Sequence, residues 1–228
     1  MKKVLGHKHG VKWRMCLTIL STIIWLTACQ FVSEKPSLPA ASLEAETSKS
    51  FNPYLAIKRS VSRDALARFS ESMQFIDSQQ WPAAQQSLLG LIHDYPDFSG
   101  PMVNLAIVYE SQGLDQEAEN FYQKARKVNR LNLDAHNRYA VFLRERGRFL
   151  EAEKVYLEAL SVWQEHPDSH RNLAILYDLY MGRFNDALNH YRQYALLIDD
   201  EGAPEDKQVK RWISDLKKRI QQQATAAG

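Results

Sequence analysis

One distance organises this chain, and it is 34 residues. Asn104-Leu105-Ala106-Ile107-Val108-Tyr109 returns as Asn172-Leu173-Ala174-Ile175-Leu176-Tyr177, 68 residues on. The midpoint holds a degenerate copy, Arg138-Tyr139-Ala140-Val141-Phe142-Leu143. Other positions keep the step. Ala84, Ala118 and Ala152 are 34 apart, with Ala187 following after 35. Tyr122, Tyr156 and Tyr191 run in parallel, preceded by Leu88, and Gly113 recurs as Gly147 and, one residue late, as Gly182. Ala125 is matched by Ala159, with Tyr194 in that slot of the last copy. A period of 34 is the mark of a helical hairpin that cannot bury its apolar side alone and must stack on copies of itself.

These residues resemble the tetratricopeptide repeat family, whose pattern sets a small residue mid-way along a first helix, a Gly at the turn, and an Ala and an aromatic on a second helix. The resemblance covers about 65–201 and implies an all-α solenoid of about four hairpins, over 65–98, 99–132, 133–166 and 167–201. The first copy is the least regular. Its second helix reads Trp81, Pro82, Ala84, Leu88, Leu91, closed by Pro96, and its first helix has Ser72 where a small residue is expected, with Leu66, Phe69, Phe75 and Ile76 available for packing. Pro101 and Pro167 fall at helix starts, and Asp134 is placed to cap its helix. In the fourth copy the turn Leu179-Tyr180-Met181-Gly182-Arg183-Phe184 is one residue long, which predicts a lengthened hairpin in an unbroken stack. A final helix is expected over about 204–223, begun by Pro204, Glu205 and Asp206. Its stripe of Val209, Trp212, Ile213, Leu216 and Ile220 suits it to cover the exposed end of the last repeat. Docking of that stripe on another protein is the alternative use.

The first 28 residues read as an export signal. Lys2, Lys3, Lys8, Lys12 and Arg14 form a basic segment with no acid, and an apolar run follows from about Met15 to Ala28. That run is short for a bilayer span but suits a signal-peptide core. It ends Leu26-Thr27-Ala28-Cys29, which resembles a bacterial lipobox, in which the Cys is acylated and becomes the first residue after cleavage. A plain secretory signal that happens to end in Cys, or an uncleaved anchor, are the alternatives. Cleavage removes five of the 29 basic residues and none of the 27 acidic ones, turning a net charge of +2 into −3. Nucleic-acid binding, which needs a basic face, finds no support. Cys16 leaves with the signal, so Cys29 is the only cysteine of the mature chain and no internal disulfide can form. Gln30 follows it; by similarity to bacterial lipoproteins, a residue other than Asp there frees the protein for transfer to the inner leaflet of the outer membrane. Residues 29–52, rich in Ser, Pro, Ala, Thr and Glu, cannot offset their ordering entropy by packing, so they read as a tether. About 23 flexible residues reach on the order of 25 Å. Residues 53–64 lead into the repeats, and 202–228 hold the final helix and tail.

No catalytic constellation stands out. Gly-rich phosphate loops, nucleophile elbows and HExxH pairs are missing from the sequence, and the carboxylates scatter along amphipathic helices. Catalysis, a cofactor, a metal and a small-molecule substrate are therefore not expected. His136 and His170 lie 34 apart, so stacking could in principle pair them at a metal. With no Cys left and no third ligand, packing beside the interhelical core is the favoured expectation.

What remains is surface. In this family the sixth position of the first helix points into the concave groove, which here implies Asn104, Arg138 and Asn172, with Asn137 and Arg171 just before the latter two. Arg144 should lie near the same face. Asn offers a donor and an acceptor to a peptide unit, and Arg a forked donor to a carboxylate. Modules of this family that clamp a C-terminal carboxylate also carry Asn then Arg at these positions. They add lysines that this chain lacks, with Asp134, Phe69 and Met73 at the corresponding places. The reading is a lipid-anchored periplasmic adaptor at the outer membrane that binds a segment of an envelope protein. Similar lipoproteins serve pilus secretins, TonB-type energy transduction or peptidoglycan machinery, and Tyr177–Tyr180 and Trp212–Leu216 resemble the energy-transduction accessories. The opposing classes are a peptidoglycan-active enzyme, with acids such as Asp134 and Glu145 in the groove, and a purely structural lipoprotein.

Overall fold

The computed structural model describes residues 52–56, 60–202 and 204–226. The export signal, Cys29 and the tether up to residue 51 lie outside the described residues. After a single turn at Pro53–Ala56 (α1), four hairpins follow. They pair α2 (Arg63–Asp77) with α3 (Trp81–Asp94), α4 (Ser99–Ser111) with α5 (Asp115–Val128), α6 (Leu133–Glu145) with α7 (Phe149–Val162), and α8 (Pro167–Ile175) with α9 (Phe184–Asp200). A last helix, α10, runs Lys207–Ala226. Among the described residues there is no strand, and no helix is long and apolar enough to cross a membrane.

The phased small residues explain how the helices approach. Ser72, Ala106, Ala140 and Ala174, one per first helix, are fully buried, as are Ala84, Ala118, Ala152 and Ala187 on the second helices. Large side chains fill the layers between: Leu88, Tyr122, Tyr156 and Tyr191 are all almost completely enclosed. Removing a methyl-sized group from such a layer leaves a void and adding one forces strain, so each position tolerates little change. Ser72 fits the small column because its hydroxyl is satisfied twice, by the Arg68 carbonyl and by Ser87 Oγ, both at 2.8 Å.

The hairpin turns are closed by residues in the left-handed region. Gly113 and Gly147 have φ of 72° and 74°, and the amide of the next residue bonds back into the first helix, Leu114 to the Tyr109 carbonyl at 2.9 Å and Arg148 to the Leu143 carbonyl at 2.9 Å. The first hairpin puts Gln79 in the same slot at φ 55°. A side chain there is disfavoured by its Cβ, which makes this turn the strained one.

Two local expectations are revised. The helix α6 is capped by Asn132, whose side chain accepts from the Ala135 amide at 3.2 Å. Asp134 sits inside the first turn and instead pairs with Arg138. The surplus residue of the fourth hairpin does not lengthen the turn loop; it is taken up inside the helix as a π-helical turn, Leu176–Tyr180, that continues α8. The Met181 amide reaches the Leu176 carbonyl at 3.1 Å, a five-residue step. Ala187 and Tyr191 thereby return to phase and are buried as their counterparts are.

The end of the stack is covered. Val209 and Leu216 of α10 are buried, Trp212 lies against Tyr191 with ring centroids 5.4 Å apart, and Arg219 sits over the Phe184 ring and pairs with the buried Asp178. The helix opens three residues later than Pro204, with the Asp206 carboxylate accepting from the Gln208 and Val209 amides at 3.0 and 3.1 Å.

Replacing Gln79 by Gly relieves the left-handed strain and should stabilise the fold by about 0.5–1 kcal/mol, while Gly113→Ala should cost about 1 kcal/mol. The midpoints of urea unfolding, moving in opposite directions for the two variants, provide the check.

Candidate functional site

From the second repeat on, the first helices approach one another more closely than the second helices do: α4 reaches α6 and α6 reaches α8, whereas α5 and α7 stand further apart. The stack therefore bends with the first helices on its inner face. Asn104, Arg138 and Asn172 recur there at one position of successive helices. Arg138 is exposed, and its Nε donates to Asp134 Oδ1 at 3.0 Å one turn earlier. Asn104 is half-buried and donates through Nδ2 to the Gly100 carbonyl at 3.3 Å, keeping its amide oxygen for other donors. The half-buried Asn172 amide makes no hydrogen bond among the described residues. Three residues beyond each lie Ile107, Val141 and Ile175, partly buried against the core. The strip therefore alternates a polar head with a β-branched floor, which offers an extended segment both amide pairing and apolar contact.

Of the other expected groove residues, two are committed to packing and one is enclosed. Asn137 is buried: Nδ2 bonds the Leu133 carbonyl at 3.3 Å and meets His166 Nδ1 at 3.2 Å, while Oδ1 accepts from Ser169 Oγ at 3.2 Å. It ties the third repeat to the fourth and is not open to a partner. Arg171 lies over the Trp212 ring at 5.8 Å and stands 3.8 Å from Asp206, so the terminal helix occupies it. Arg144 is mostly enclosed, with 13% of its side chain exposed, and Tyr180 lies over its guanidinium at 5.6 Å. The floor residues Ile107, Val141 and Ile175 were missed by sequence reasoning, although their 34-residue spacing was the available signal.

On the outer side, charged pairs join the second helix of one repeat to the turn of the next. Arg148 donates to Glu119 Oε2 at 2.7 Å, and Arg183 to Glu153 Oε1 at 2.5 Å, each also holding an acid of its own helix. The Arg148 guanidinium keeps the Glu119 carboxyl below its usual range.

The histidines pack rather than assemble. His136 Nδ1 lies 3.0 Å from the Asn132 carbonyl and so carries its proton there. His170 Nε2 lies 2.8 Å from the Gln164 carbonyl, which leaves its Nδ1 to accept from His190 Nδ1 at 2.8 Å. Burial pushes the imidazolium pKa down at His136, His166 and His170, and burial with the neighbouring His170 takes His190 to about 4. Among the described residues no group of three or more His, Cys, Asp or Glu is placed to hold a metal ion.

Two family models, each described as tetratricopeptide repeat, match residues 102–138 and 131–195. From residue 102 to 195, the hairpins match tetratricopeptide repeats. Solved structures share the fold. MamA from Desulfovibrio magneticus RS-1 is 14% identical over 74% of this chain and 92% of its own, with a TM-score of 0.56. The thermophilic tetratricopeptide protein TTC0263 of Thermus thermophilus is 21% identical over 68% and 81%, with a TM-score of 0.55. PilF of Pseudomonas aeruginosa is 21% identical over 67% and 74%, with a TM-score of 0.52. Tetratricopeptide arrays are protein-interaction scaffolds and typically carry no catalytic machinery, in keeping with the surface described above.

Because the unfolded chain holds imidazolium protons up to about pH 6.5 and the folded one releases them lower, stability rises with pH through that window. Acidification from pH 7 to 5 should lower the urea midpoint, and His190→Gln should make that decline shallower. Equal slopes for the two proteins would show that the His170–His190 contact is not the source.

Proposed function

We propose that this chain is a lipid-anchored periplasmic scaffold which holds a segment of another envelope protein along its inner face. The observation that carries the reading is the repeated strip, Asn104, Arg138 and Asn172 over Ile107, Val141 and Ile175, on the concave side of a tetratricopeptide solenoid. Polar heads recurring at one pitch match the recurring amides of an extended chain, and the apolar floor supplies the desolvated contact that polar pairing alone lacks. Asn137 and Arg171 have no part in it, being committed to packing.

The envelope setting rests on the leader. A basic segment, a short apolar run and Leu26-Thr27-Ala28-Cys29 fit export followed by acylation of Cys29, and Gln30 favours the outer membrane. Buried methylenes contribute about 0.8 kcal/mol each, so two or three acyl chains hold a protein stably at a bilayer. The scaffold then acts in assembling or positioning an envelope machine beside which it is tethered.

Mass spectrometry of the protein isolated from envelopes should find residues 1–28 removed and Cys29 acylated, and Cys29→Ser should leave the protein unlipidated. An intact leader with a bare thiol on Cys29 would overturn the anchor. For the groove, Asn104→Ala, Arg138→Ala and Asn172→Ala combined should cut recovery of cross-linked partners from envelopes at least about tenfold while leaving the circular dichroism spectrum unchanged. Undiminished recovery would remove the strip from consideration.

A further inference from the structure

Resting on that groove reading, we infer that the partner segment carries a carboxylate, which seats between the third and fourth repeats on Arg144 and Tyr156. The geometry comes from one column of the repeat. Glu110, Arg144 and Asp178 are equivalent residues, 34 apart, near the end of successive first helices. Each sits beside the buried tyrosine of its own hairpin: Tyr122, Tyr156 and Tyr191.

The outer two rungs each hold a paired carboxylate, although Arg146 Nε is hidden without a partner. Glu110 accepts from Tyr122 Oη at 2.8 Å and from Arg146 Nη1, on the next repeat, at 3.2 Å. Asp178, 2% exposed at its side chain, pairs with Arg219 of the terminal helix and lends its charge to the surroundings of Tyr191. In both, a carboxylate of the column receives an arginine from the neighbouring unit.

The middle rung has the donors and no carboxylate in the column position; the nearby Glu145 pairs with Arg144 by charge but accepts none of these hydrogen bonds. Arg144 replaces the acid, and Tyr180 replaces the arginine that the next repeat would otherwise supply, since Arg146 and Tyr180 are also 34 apart. Nε and Nη1 of Arg144 are hidden from solvent without a hydrogen-bond partner, and so is the Tyr156 hydroxyl. The remaining Nη2 stands 4.0 Å from Glu145 Oε1, beyond hydrogen-bond range. Arg144 is close enough to act on Tyr156, offsetting in part the upward pressure that burial puts on the phenol's pKa. Three buried donors, two of them on a cation, lack acceptors in the rung where those above and below hold an acid. Leaving such groups unsatisfied is costly, and a carboxylate accepts from a guanidinium through two oxygens. The Tyr180 ring, 43% exposed and packed on Phe149, is the part of the enclosure that would have to turn aside.

The test uses the purified full chain in detergent and a display library of random 12-residue peptides. Selected binders should share an Asp or Glu at one position. Exchanging it for Asn or Gln should weaken binding about 10- to 100-fold, the scale of a hydrogen bond to a charged group. Arg144→Gln should erase the difference between acid and amide peptides, Arg144→Lys should keep part of it, and Tyr156→Phe should reduce it. Binders that the Asn104, Arg138 and Asn172 triple variant abolishes, yet that need no acid or discriminate equally on Arg144→Gln, would overturn the carboxylate seat alone. A library with no binders, or with binders indifferent to the triple variant, would overturn the groove and the seat together.

Discussion

Close approach of helices through a column of small side chains is the constraint on which this molecule rests. Ser72, Ala106, Ala140 and Ala174 let each first helix come near its neighbours, and the enclosed tyrosines occupy the space that such an approach leaves. No hairpin has enough apolar material to close this arrangement by itself, so stability is shared along the array through nearest neighbours. That is why the last hairpin needs α10. Without Val209, Trp212 and Leu216, the face of Tyr191 would stand open to water.

The same nearest-neighbour logic governs the polar groups. Several arginines that look free in the sequence are spent on the adjacent unit: Arg126 on Glu158, Arg146 on Glu110 and Asp115, Arg148 on Glu119, Arg183 on Glu153. Exposed pairs of this kind contribute little each, and those with buried members fix the register between repeats more than they stabilise it. The inner face differs. Asn104 and Asn172 retain unused hydrogen-bonding capacity, and Arg138 projects into solvent with a single local acid. A surface that keeps its polar groups uncommitted has them available for another chain.

The hairpin count, the all-α class, the turn glycines and the covering helix were legible because each depends on residue type at a fixed spacing. Three things were not. Asn137 follows the same phase as Arg171, but whether a residue faces inward or outward at a repeat junction depends on neighbours 29 and 32 residues away, His166 and Ser169. The π-turn at Leu176–Tyr180 was visible only as a surplus residue, since the choice between a longer loop and a wider helix is made by tertiary packing. Asn132 outcompeted Asp134 as the cap of α6 because the preceding loop sets Asn132 in an extended conformation, with ψ of 90°, from which its side chain reaches Ala135.

The surplus residue in the fourth repeat bears on the proposed binding face. By widening the helix after Ile175 it carries Tyr180 to the position over Arg144 while leaving Asp178 buried and in phase with Glu110 and Arg144. A simple deletion that restored the 34-residue step would keep the hairpin but shift Tyr180 relative to Phe149, its ring neighbour at 5.2 Å. Single-turn π-helices are frequent at functional sites. Here the irregular turn and the acceptor-poor guanidinium meet at one junction of an otherwise regular array, and at the far side of the same hairpin α10 consumes Arg171. The open part of the inner face is thus bounded: Asn104 marks one end, the terminal helix the other, and the guanidinium of Arg144, with its unfilled hydrogen bonds, lies between them.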